Sequence, residues 1–386
     1  MSHPSRRDLL RAAPLLALPA VARAAQQPAP PTDHPTYPGM IVRMEQPRNL
    51  EFPLSTLSDW KVPTDRFFVR SHFAMPKVDL TGYKLTVEGH VENPLSLTLD
   101  ELKKLPSVTR PLLLECAGNG RVFLVPQARG LQWGLGAVGT AEWTGVPLGA
   151  ILERAKVKTG AAEVVLVGAD TGAIAADPAT PGTIHFDRSL PLEKAKRDEV
   201  ILAHAMNGEP LTPSHGAPLL AVVGGWYGMA SVKWLTRVVV LDRPHAGYFQ
   251  TMDYSYWERK NGLPEVRMIT AIQPKASIAR PTTHEAVPAG KPYRAFGVAW
   301  TGEAKVAKVE VSGDGGKAWS AAKLTGDDKP FCWRTWEFDW TPSARGLVRL
   351  VARCTDDKGA TQPEARDPDR RSYMINHLVP VEVMVR

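Results

Sequence analysis

Residues 112–121 read LLLECAGNGR, an apolar run typical of a strand that ends at Cys116 and continues into a loop with two glycines. Glycine lets a backbone come close to a ligand. Arg121 follows five positions after the cysteine, where its charge would favour the thiolate form. Taken alone, a cysteine at the end of a strand is most often a small buried hydrophobic residue. A nucleophilic cysteine with a histidine base is a second interpretation, although no paired motif supports it.

Strand and short-helix patterns alternate around this stretch, over residues 66–265. Tyr83–Glu88 alternates polar and apolar residues as a strand does. Thr98 opens a capping box before LDELKKL, and Pro147 begins a second predicted helix, PLGAILERA, where its missing N–H is tolerated. Three apolar runs have the length of buried strands: Val164–Val167, Val200–His204 and Leu219–Val223. Val232–Leu241 is predicted to be another strand.

The pattern changes near residue 266, after which short strands separated by turns dominate. The sequence SGDGG at 312–316 is a strong hairpin-turn signal. The fold class is therefore predicted to be α+β, with a mixed α/β domain over 66–265 and an immunoglobulin-like β-sandwich over 266–386. The predicted strands of the sandwich are Tyr293–Trp300, Val306–Ser312, Thr335–Trp340, Leu347–Arg353 and Val379–Val385.

The first 24 residues have the pattern of an export signal. SRRDLL at 5–10 precedes an uncharged run over 12–22, and ARA at 22–24 supplies an A-x-A cleavage site. This pattern predicts a twin-arginine signal peptide over 1–24 and export of the folded protein to the periplasm. A plain secretory signal or an N-terminal anchor is the alternative, although the apolar run is much shorter than the ~20 residues that span a bilayer. Residues 25–65 are rich in proline and are predicted to form an extended arm over the surface.

The overall composition excludes several classes of protein. A chain of 386 residues that is 44% hydrophobic and 23% charged is long enough for two globular domains. Its net charge of +7 is spread without a basic block, so no nucleic-acid partner is predicted. Three cysteines exclude a disulfide-dense scaffold, and the absence of CxxCH excludes an attached c-type haem. The uncharged segment 210–232 contains three prolines and is predicted to be a buried strand with loops, not a membrane span.

Three segments in order carry a family resemblance: FFVRSH at 67–72, LECAGNGR at 114–121 and SVKWL at 231–235. Together they resemble the sulfite oxidase family of molybdenum enzymes, and in particular its bacterial, periplasmic, haem-free sulfite dehydrogenases. The resemblance covers nearly all of the chain after the signal peptide and extends to a C-terminal sandwich similar to the family's dimerisation domain. It implies one molybdenum–molybdopterin group per chain and a homodimer.

The resemblance also implies which residues hold the cofactor. Cys116 corresponds to the thiolate ligand of the metal, a role that suits a soft donor. His215 is the implied residue with the strongest structural alternative, which is to hold its own loop through the ring. The family usually has an arginine five residues past that histidine, whereas Leu220 stands there in this chain. The other implied cofactor residues are Phe68, Val69, Arg70, Ser71, His72, Asp170, Ser231, Val232 and Lys233.

The substrate pocket implied by the resemblance consists of Arg70, Arg121, Trp133, Tyr254 and a third arginine. Arg370 and Arg371 both precede SYMIN, and the spacing to the asparagine favours Arg371. Each of these residues has an ordinary alternative. An arginine on an isolated strand is often a solvated edge residue, the tryptophan could belong to the core, and the tyrosine could be an interface aromatic.

The predicted activity is oxidation of sulfite to sulfate, with electrons passed to a separate c-type cytochrome. Three alternatives stay open: a sulfane-sulfur dehydrogenase, a methionine sulfoxide reductase of the same superfamily, and a metal-free binding module. Arg121 argues against the first, the C-terminal sandwich against the second, and the complete set of site residues against the third. Cys332 and Cys354 are predicted either to pair in an oxidising compartment or to remain two free buried thiols.

Overall fold

The computed structural model describes residues 37–343 and 345–386, which form mostly strands together with three short α-helices. The predicted signal peptide and the arm up to residue 36 lie outside the described residues. The strands of the first half are β1 (Ile41–Met44), β2 (Asn49–Glu51), β3 (Lys84–Gly89), β4 (Leu95–Thr98), β5 (Val108–Glu115), β6 (Val138–Pro147), β7 (Glu163–Gly172), β8 (Ile184–Pro191), β9 (Val200–Met206), β10 (Glu209–Pro210), β11 (Leu220–Val223), β12 (Leu235–Leu241), β13 (Ser255–Lys260) and β14 (Leu263–Met268).

Two five-stranded sheets form the body of this half. One has the order β10-β9-β6-β5 with β11 also on β9, and the other has the order β4-β3-β12-β7-β8. The apolar runs at 164–167, 200–204 and 219–223 fall in β7, β9 and β11, as predicted. The predicted strand Val232–Leu241 begins only at Leu235, because Trp234 has a φ of 49° and interrupts the extended chain just after Lys233.

The helices are α1 (Leu99–Lys103), α2 (Leu148–Ala155) and α3 (Leu192–Ala195). The capping box is present: the Glu101 N–H donates to the Thr98 hydroxyl at 3.2 Å, and the Thr98 N–H donates to the Glu101 carboxylate at 2.8 Å. Both predicted helices exist, but they are so short that the α+β prediction overstates the helical share. Among the described residues, no helix has the length and apolar character needed to cross a bilayer.

The predicted surface arm instead places several of its side chains in the interior from Asn49 onwards. Leu50, Phe52 and Val62 are buried. The Glu51 carboxylate is buried as well, and it accepts backbone N–H groups of Gly134 and Gly136, both at 2.9 Å. The prediction failed because this segment packs its apolar side chains from irregular backbone, which leaves no strand or helix period in the sequence.

The second half consists of two sheets packed around a common core, as predicted for a β-sandwich. Val309, Trp336 and Leu350 are among the residues of this core. The sheets have the orders β15-β17-β21-β20 and β16-β23-β22-β18-β19. Their strands are β15 (Lys275–Arg280), β16 (Ala286–Val287), β17 (Tyr293–Trp300), β18 (Val306–Ser312), β19 (Ser320–Ala321), β20 (Lys323–Thr325), β21 (Arg334–Trp340), β22 (Gly346–Asp356) and β23 (Val381–Val385).

Candidate active site

A cavity of about 730 Å³, including its open mouth, lies where β5, β6 and β11 of one sheet approach β7 and β8 of the other. It brings together segments that are far apart in the chain. Most of the predicted cofactor residues line it, together with the predicted substrate residue Tyr254. The predicted residues in the lining are Phe68, Arg70, Ser71, His72, Cys116, Asp170, His215, Ser231, Lys233 and Tyr254.

Cys116 reaches the cavity because β5 ends one residue before it and the chain then turns sharply. The Cys116 N–H donates to the Ala137 carbonyl at 2.9 Å, and the Asn119 N–H donates to the Cys116 carbonyl at 2.8 Å. Gly120 adopts a φ of 99°, a left-handed conformation that favours glycine. The thiol is therefore held at the cavity wall by backbone contacts on both sides.

The segment after Phe67 contributes a cation and a neutral ring. Burial would by itself lower the pKa of Arg70, but Tyr254 and Cys116 outweigh that effect and raise the pKa. The His72 ring stacks on Phe186 with centroids 4.3 Å apart. Burial, followed by the charge of Arg70, lowers the pKa of His72 well below its ordinary value, so the ring is neutral.

Three further polar residues line the cofactor side of the cavity. Lys233 donates to the Ser71 hydroxyl at 2.9 Å, and burial lowers the pKa of this lysine. Burial raises the pKa of Asp170, which lies where the pairing of β7 with β8 is irregular. His215 has its Nδ1 2.7 Å from the Thr212 hydroxyl, and burial lowers its pKa to about 4. This contact fits the structural alternative for His215 and leaves its ring at the cavity wall.

The donor set fits a molybdenum–molybdopterin group. Asp170 Oδ1 is buried and has no hydrogen-bond partner among the described residues, so a donor on a bound group would satisfy it. Arg70 supplies positive charge for an anionic group, and Lys233 supplies a further hydrogen-bond donor. The part of the chain that the structure describes contains no cluster of three His, Cys, Asp or Glu residues able to hold a metal. Cys116 is thus a single thiolate donor, and it suits a metal whose other ligands come with the cofactor.

Tyr254 faces the same cavity from the end of a π-helical turn over Phe249–Asp253. Its hydroxyl is hydrogen-bonded to His72 Nε2. Burial raises the pKa of Tyr254, so the phenol stays protonated. The site therefore presents a phenol and a guanidinium, that of Arg70, on the same cavity as the Cys116 thiol.

Arg121 is buried beside the cavity and is not part of its lining. Its Nε donates to the Ser372 carbonyl at 3.1 Å and its Nη1 to the Leu131 carbonyl at 2.7 Å. Its Cζ also lies 5.1 Å from the ring centroid of Tyr373. These contacts hold the loop after Cys116, so the position of Arg121 supports loop anchoring more directly than substrate contact.

Four other predicted site residues do not line the cavity. Trp133 is fully buried in the core, which was its ordinary alternative. Arg371 is exposed, and its Nη1 donates to the Met252 carbonyl at 3.1 Å and to the Ser255 hydroxyl at 2.9 Å. Arg370, the competing residue for that role, bonds Asp367 at 3.2 Å. The side chains of Val69 and Val232 are buried in apolar clusters.

Three residues near the site were missed by the sequence analysis: Arg188, Asp253 and Tyr373. The Tyr373 hydroxyl donates to Asp253 Oδ1 at 2.6 Å, and its ring centroid lies 4.8 Å from that of Tyr254. Arg188 is fully buried on β8, and its Cζ lies 5.9 Å from the Tyr254 ring centroid. The available signal was a tyrosine two residues past the predicted arginine. Arg188 gave no such signal, because β8 reads IHFDRSLP and mixes polar with apolar residues.

Comparisons with known proteins identify the family of the two domains. Residues 72–249 match the family described as the oxidoreductase molybdopterin binding domain, and residues 266–385 match the Mo-co oxidoreductase dimerisation domain. The chain is 33% identical to sulfite oxidase of Gallus gallus over 355 residues, which cover 87% of this chain and 75% of that protein. It is 33% identical to the mitochondrial sulfite oxidase of Homo sapiens, of which it spans 66%. Among solved structures, sulfane dehydrogenase SoxCD of Paracoccus pantotrophus matches 98% of the chain and 96% of its own length with a TM-score of 0.75 and 27% identity.

Proposed function

Since the chain belongs to the sulfite oxidase family of molybdopterin oxidoreductases, we propose that it is a sulfite dehydrogenase that oxidises sulfite to sulfate. The observation that carries the proposal is the position of Arg70 and Tyr254 on the same cavity as Cys116. A small, anionic sulfur substrate needs a cation and a hydrogen-bond donor beside the redox centre, and these two residues supply them.

The protein's part in the reaction is to bind, orient and supply charge. When bound, the molybdenum–molybdopterin group supplies the two-electron redox chemistry. Cys116 would hold the metal, while Asp170, Ser71 and Lys233 would hold the pterin. In the net reaction sulfite gains one oxygen atom from water, and two electrons and two protons are released.

The protonation states at the site suit an anionic substrate. Arg70 keeps its charge because its pKa is raised, and Tyr254 keeps its proton because burial raises its pKa. The neutral ring of His72 bonds the phenol of Tyr254 and fixes its direction. The cavity therefore offers an anion one positive charge and one neutral donor without exposing a carboxylate beside it, apart from Asp170 on the cofactor side.

The electrons leave to a separate periplasmic c-type cytochrome in this proposal. The sequence contains no CxxCH motif, no four-cysteine iron–sulfur pattern and no GxGxxG fingerprint, so a second protein is the natural acceptor. Export by the twin-arginine route is proposed from SRRDLL at 5–10. A homodimer is proposed because residues 266–385 match a dimerisation domain.

A sulfane-sulfur substrate is the second candidate. It is favoured by the likeness to sulfane dehydrogenase SoxCD over 98% of the chain. The number of arginines at the cavity also favours it. Three pocket arginines were predicted, whereas Arg371 bonds Ser255 and, among the described residues, only Arg70 is in the lining of this cavity. Sulfite is preferred because Arg121 lies one aromatic ring away from Tyr254, so its charge adds to the local positive potential: its Cζ is 5.1 Å from the Tyr373 ring centroid, which is 4.8 Å from that of Tyr254.

One assay series separates the candidates. Molybdenum-loaded protein is given sulfite or thiosulfate with oxidised cytochrome c, or methionine sulfoxide with a reduced dye. Sulfite is expected to reduce the cytochrome with the largest kcat/KM. Turnover of thiosulfate alone would replace the proposal by the sulfane candidate, and turnover of methionine sulfoxide alone would place the chain among the reductases. If protein made with the cofactor available contained no molybdenum, the remaining interpretation would be the metal-free binding module.

A further inference from the structure

The residue just before Cys116 is a buried carboxylate with three donors. Glu115 is the last residue of β5 and is 1% exposed. Its Oε1 accepts from Asn119 Nδ2 at 3.1 Å and from Lys275 Nζ at 3.1 Å. Its Oε2 accepts from Trp300 Nε1 at 2.8 Å. This set of contacts, here called the Glu115 network, has charged members that nothing in the proposed reaction uses.

Two of the three donors come from the C-terminal sandwich. Lys275 begins β15 and Trp300 ends β17, and the two residues are directly opposite each other in that strand pair. A single cross-strand residue pair of the sandwich therefore donates hydrogen bonds to this carboxylate from an ammonium group and from an indole N–H. Because strand pairing fixes both donors, their spacing is set by the second domain and not by a flexible loop.

The same lysine also reaches the loop that follows the cysteine. Lys275 Nζ donates to the Asn119 carbonyl at 2.8 Å, and the side chain of Asn119 accepts from the Ala137 N–H at 3.1 Å. Ala137 in turn accepts the N–H of Cys116. Contacts from the network thus fix the residues before and after the cysteine, and its backbone cannot shift without breaking a buried charged contact.

The network also places a positive charge near the thiol. Lys275 is 3% exposed, and its Nζ lies 3.1 Å from the Glu115 carboxylate just before Cys116 and 2.8 Å from the Asn119 carbonyl in the loop just after it. A cation held close to a thiolate in a dry interior stabilises the negative charge on sulfur and reduces its donation to a metal. The carboxylate of Glu115 balances that charge, so removal of either partner changes the field at the sulfur.

We propose that Glu115 and Lys275 are positioning residues through which the C-terminal sandwich sets the geometry and donor strength of the Cys116 thiolate toward molybdenum. The inference rests on the proposed role of Cys116 as metal ligand and does not depend on sulfite being the substrate. It assigns the sandwich a role in the redox centre in addition to the dimerisation role that its family match indicates.

The chain offers a closely matched control in a second buried lysine. Lys194 is 5% exposed and bonds Glu199 at 2.8 Å in its own domain and Glu303 at 2.8 Å in the sandwich. Its Nζ lies 5.6 Å from the Trp226 ring, as that of Lys275 lies 5.7 Å from the Trp300 ring. Replacing Lys194 therefore breaks an inter-domain ion pair of the same kind at a place that does not contact the Cys116 loop.

The experiment compares Lys275→Met, Glu115→Gln and Lys194→Met in the molybdenum-loaded full chain. Each variant is measured for molybdenum per chain, thermal midpoint, the thiolate-to-molybdenum absorption band, and the reduction potential in a titration with a chemical reductant. Lys275→Met and Glu115→Gln are expected to shift the band and the potential and to lower kcat about 10- to 100-fold, as loss of a partner behind a metal ligand does. Lys194→Met is expected to lower the thermal midpoint while the band and the potential stay at wild-type values.

A fully loaded Lys275→Met or Glu115→Gln protein with the wild-type band and potential would overturn the proposal. Glu115→Gln keeps the size of the side chain, so it decides the question if Lys275→Met does not accumulate. Equal shifts in the Lys194→Met control would also overturn it, because the effect would then be one of general stability. An unchanged band in Cys116→Ser would show that Cys116 is not the metal ligand, and the inference would fail with it. Shifted bands in Lys275→Met and Glu115→Gln, in a protein that does not turn over sulfite, would support the inference and contradict only the proposed substrate.

Discussion

The thiol of Cys116 is the feature of the site that can be tested most directly. We expect Cys116→Ser to abolish turnover while most of the cofactor stays bound, because Asp170, Lys233 and Ser71 would still hold the pterin in the proposed site. A serine oxygen is a harder and more basic donor than a thiolate and would retune the metal. Turnover and molybdenum content are measured on the same preparation, with wild-type protein as the control. Wild-type activity in the loaded variant would remove Cys116 from the metal site.

Arg70 and Arg121 should respond differently to removal of their charge. Arg70→Met is expected to lower kcat/KM for sulfite about 10- to 100-fold, the equivalent of a charge-assisted hydrogen bond of ~1.5–3 kcal/mol. The decline of kcat/KM with ionic strength should also be weaker in this variant. Arg121→Met loses its bonds to Ser372 and Leu131 and is expected to lose molybdenum or stability. The reverse pattern, with Arg121 controlling KM in fully loaded protein, would place the anion beside Arg121.

Asp253 should weaken anion binding because its charge acts on Arg70. Its carboxylate accepts the Tyr373 hydroxyl and is one of the charges that raise the pKa of Arg70. Asp253→Asn is expected to raise kcat/KM for sulfite about two- to fivefold, the equivalent of ~0.5–1 kcal/mol of relieved charge repulsion. Tyr373→Phe is the control, because it removes the hydrogen bond and keeps the carboxylate. An unchanged kcat/KM in Asp253→Asn would show that the carboxylate does not act on bound anion.

The individual site residues were predictable to the extent that they lie in local motifs. The segment at 68–72 and the loop that begins at Cys116 are each continuous in sequence, and both contribute residues to the cavity lining. Arg371 was misplaced because the spacing to Asn376 does not report where a side chain lies in space, and neither it nor Arg370 lines the cavity. The contact of Tyr373 with Asp253 spans 120 residues, and no spacing in the sequence reports such a distance.

At the scale of strands and helices, the buried strands were the most predictable elements. The apolar runs in β7, β9 and β11 are bounded by turns and are buried on both faces, so they stand out in the sequence. The arm over 49–62 was missed since its interior packing follows no regular period. The end of β5 was predictable, but the choice of Glu115 as the partner of Lys275 depends on the pairing of β15 with β17, which sequence patterns do not specify.

The connection between β15 and β16 contains a carboxylate that should make stability depend on pH. Burial would raise the pKa of Glu285, but hydrogen bonds from Arg280, the Thr282 N–H and Tyr293 outweigh it and lower the pKa to about 2 from 4.5. A lowered pKa means that the ionised form stabilises the fold above pH ~4.5 and that this contribution is lost as the pH falls toward 2. Glu285→Gln should therefore lower the thermal midpoint at pH 7 and have little effect near pH 2.5. The same loss at both values would contradict the ion-pair account.

At the scale of the whole molecule, the hydrophobic core of the first half extends into the sandwich, which also keeps the separate core around Val309 and Leu350. Ala279, Val298 and Trp300 belong to β15 and β17 of the sandwich, yet they pack in the same buried cluster as the first half. Trp333 belongs to this cluster as well, and its Nε1 donates to the Trp60 carbonyl at 2.6 Å. The change of pattern near residue 266 therefore marks a change of architecture, and hydrophobic packing continues across it. The sequence pattern thus shows a domain boundary at which the buried contacts are not interrupted.

This shared core predicts that the two halves unfold together. Separation would expose Trp300 and leave the charges of Glu115 and Lys275 unpaired in a nonpolar surface, a cost that neither half can offset alone. Calorimetry of the molybdenum-loaded protein should show one transition. Circular dichroism in the near and far ultraviolet should change together at the same midpoint. Lys275→Met should lower its midpoint while the transition stays single. Two transitions, with sandwich signals retained after the molybdenum is released, would mean that the Glu115 network does not couple the domains.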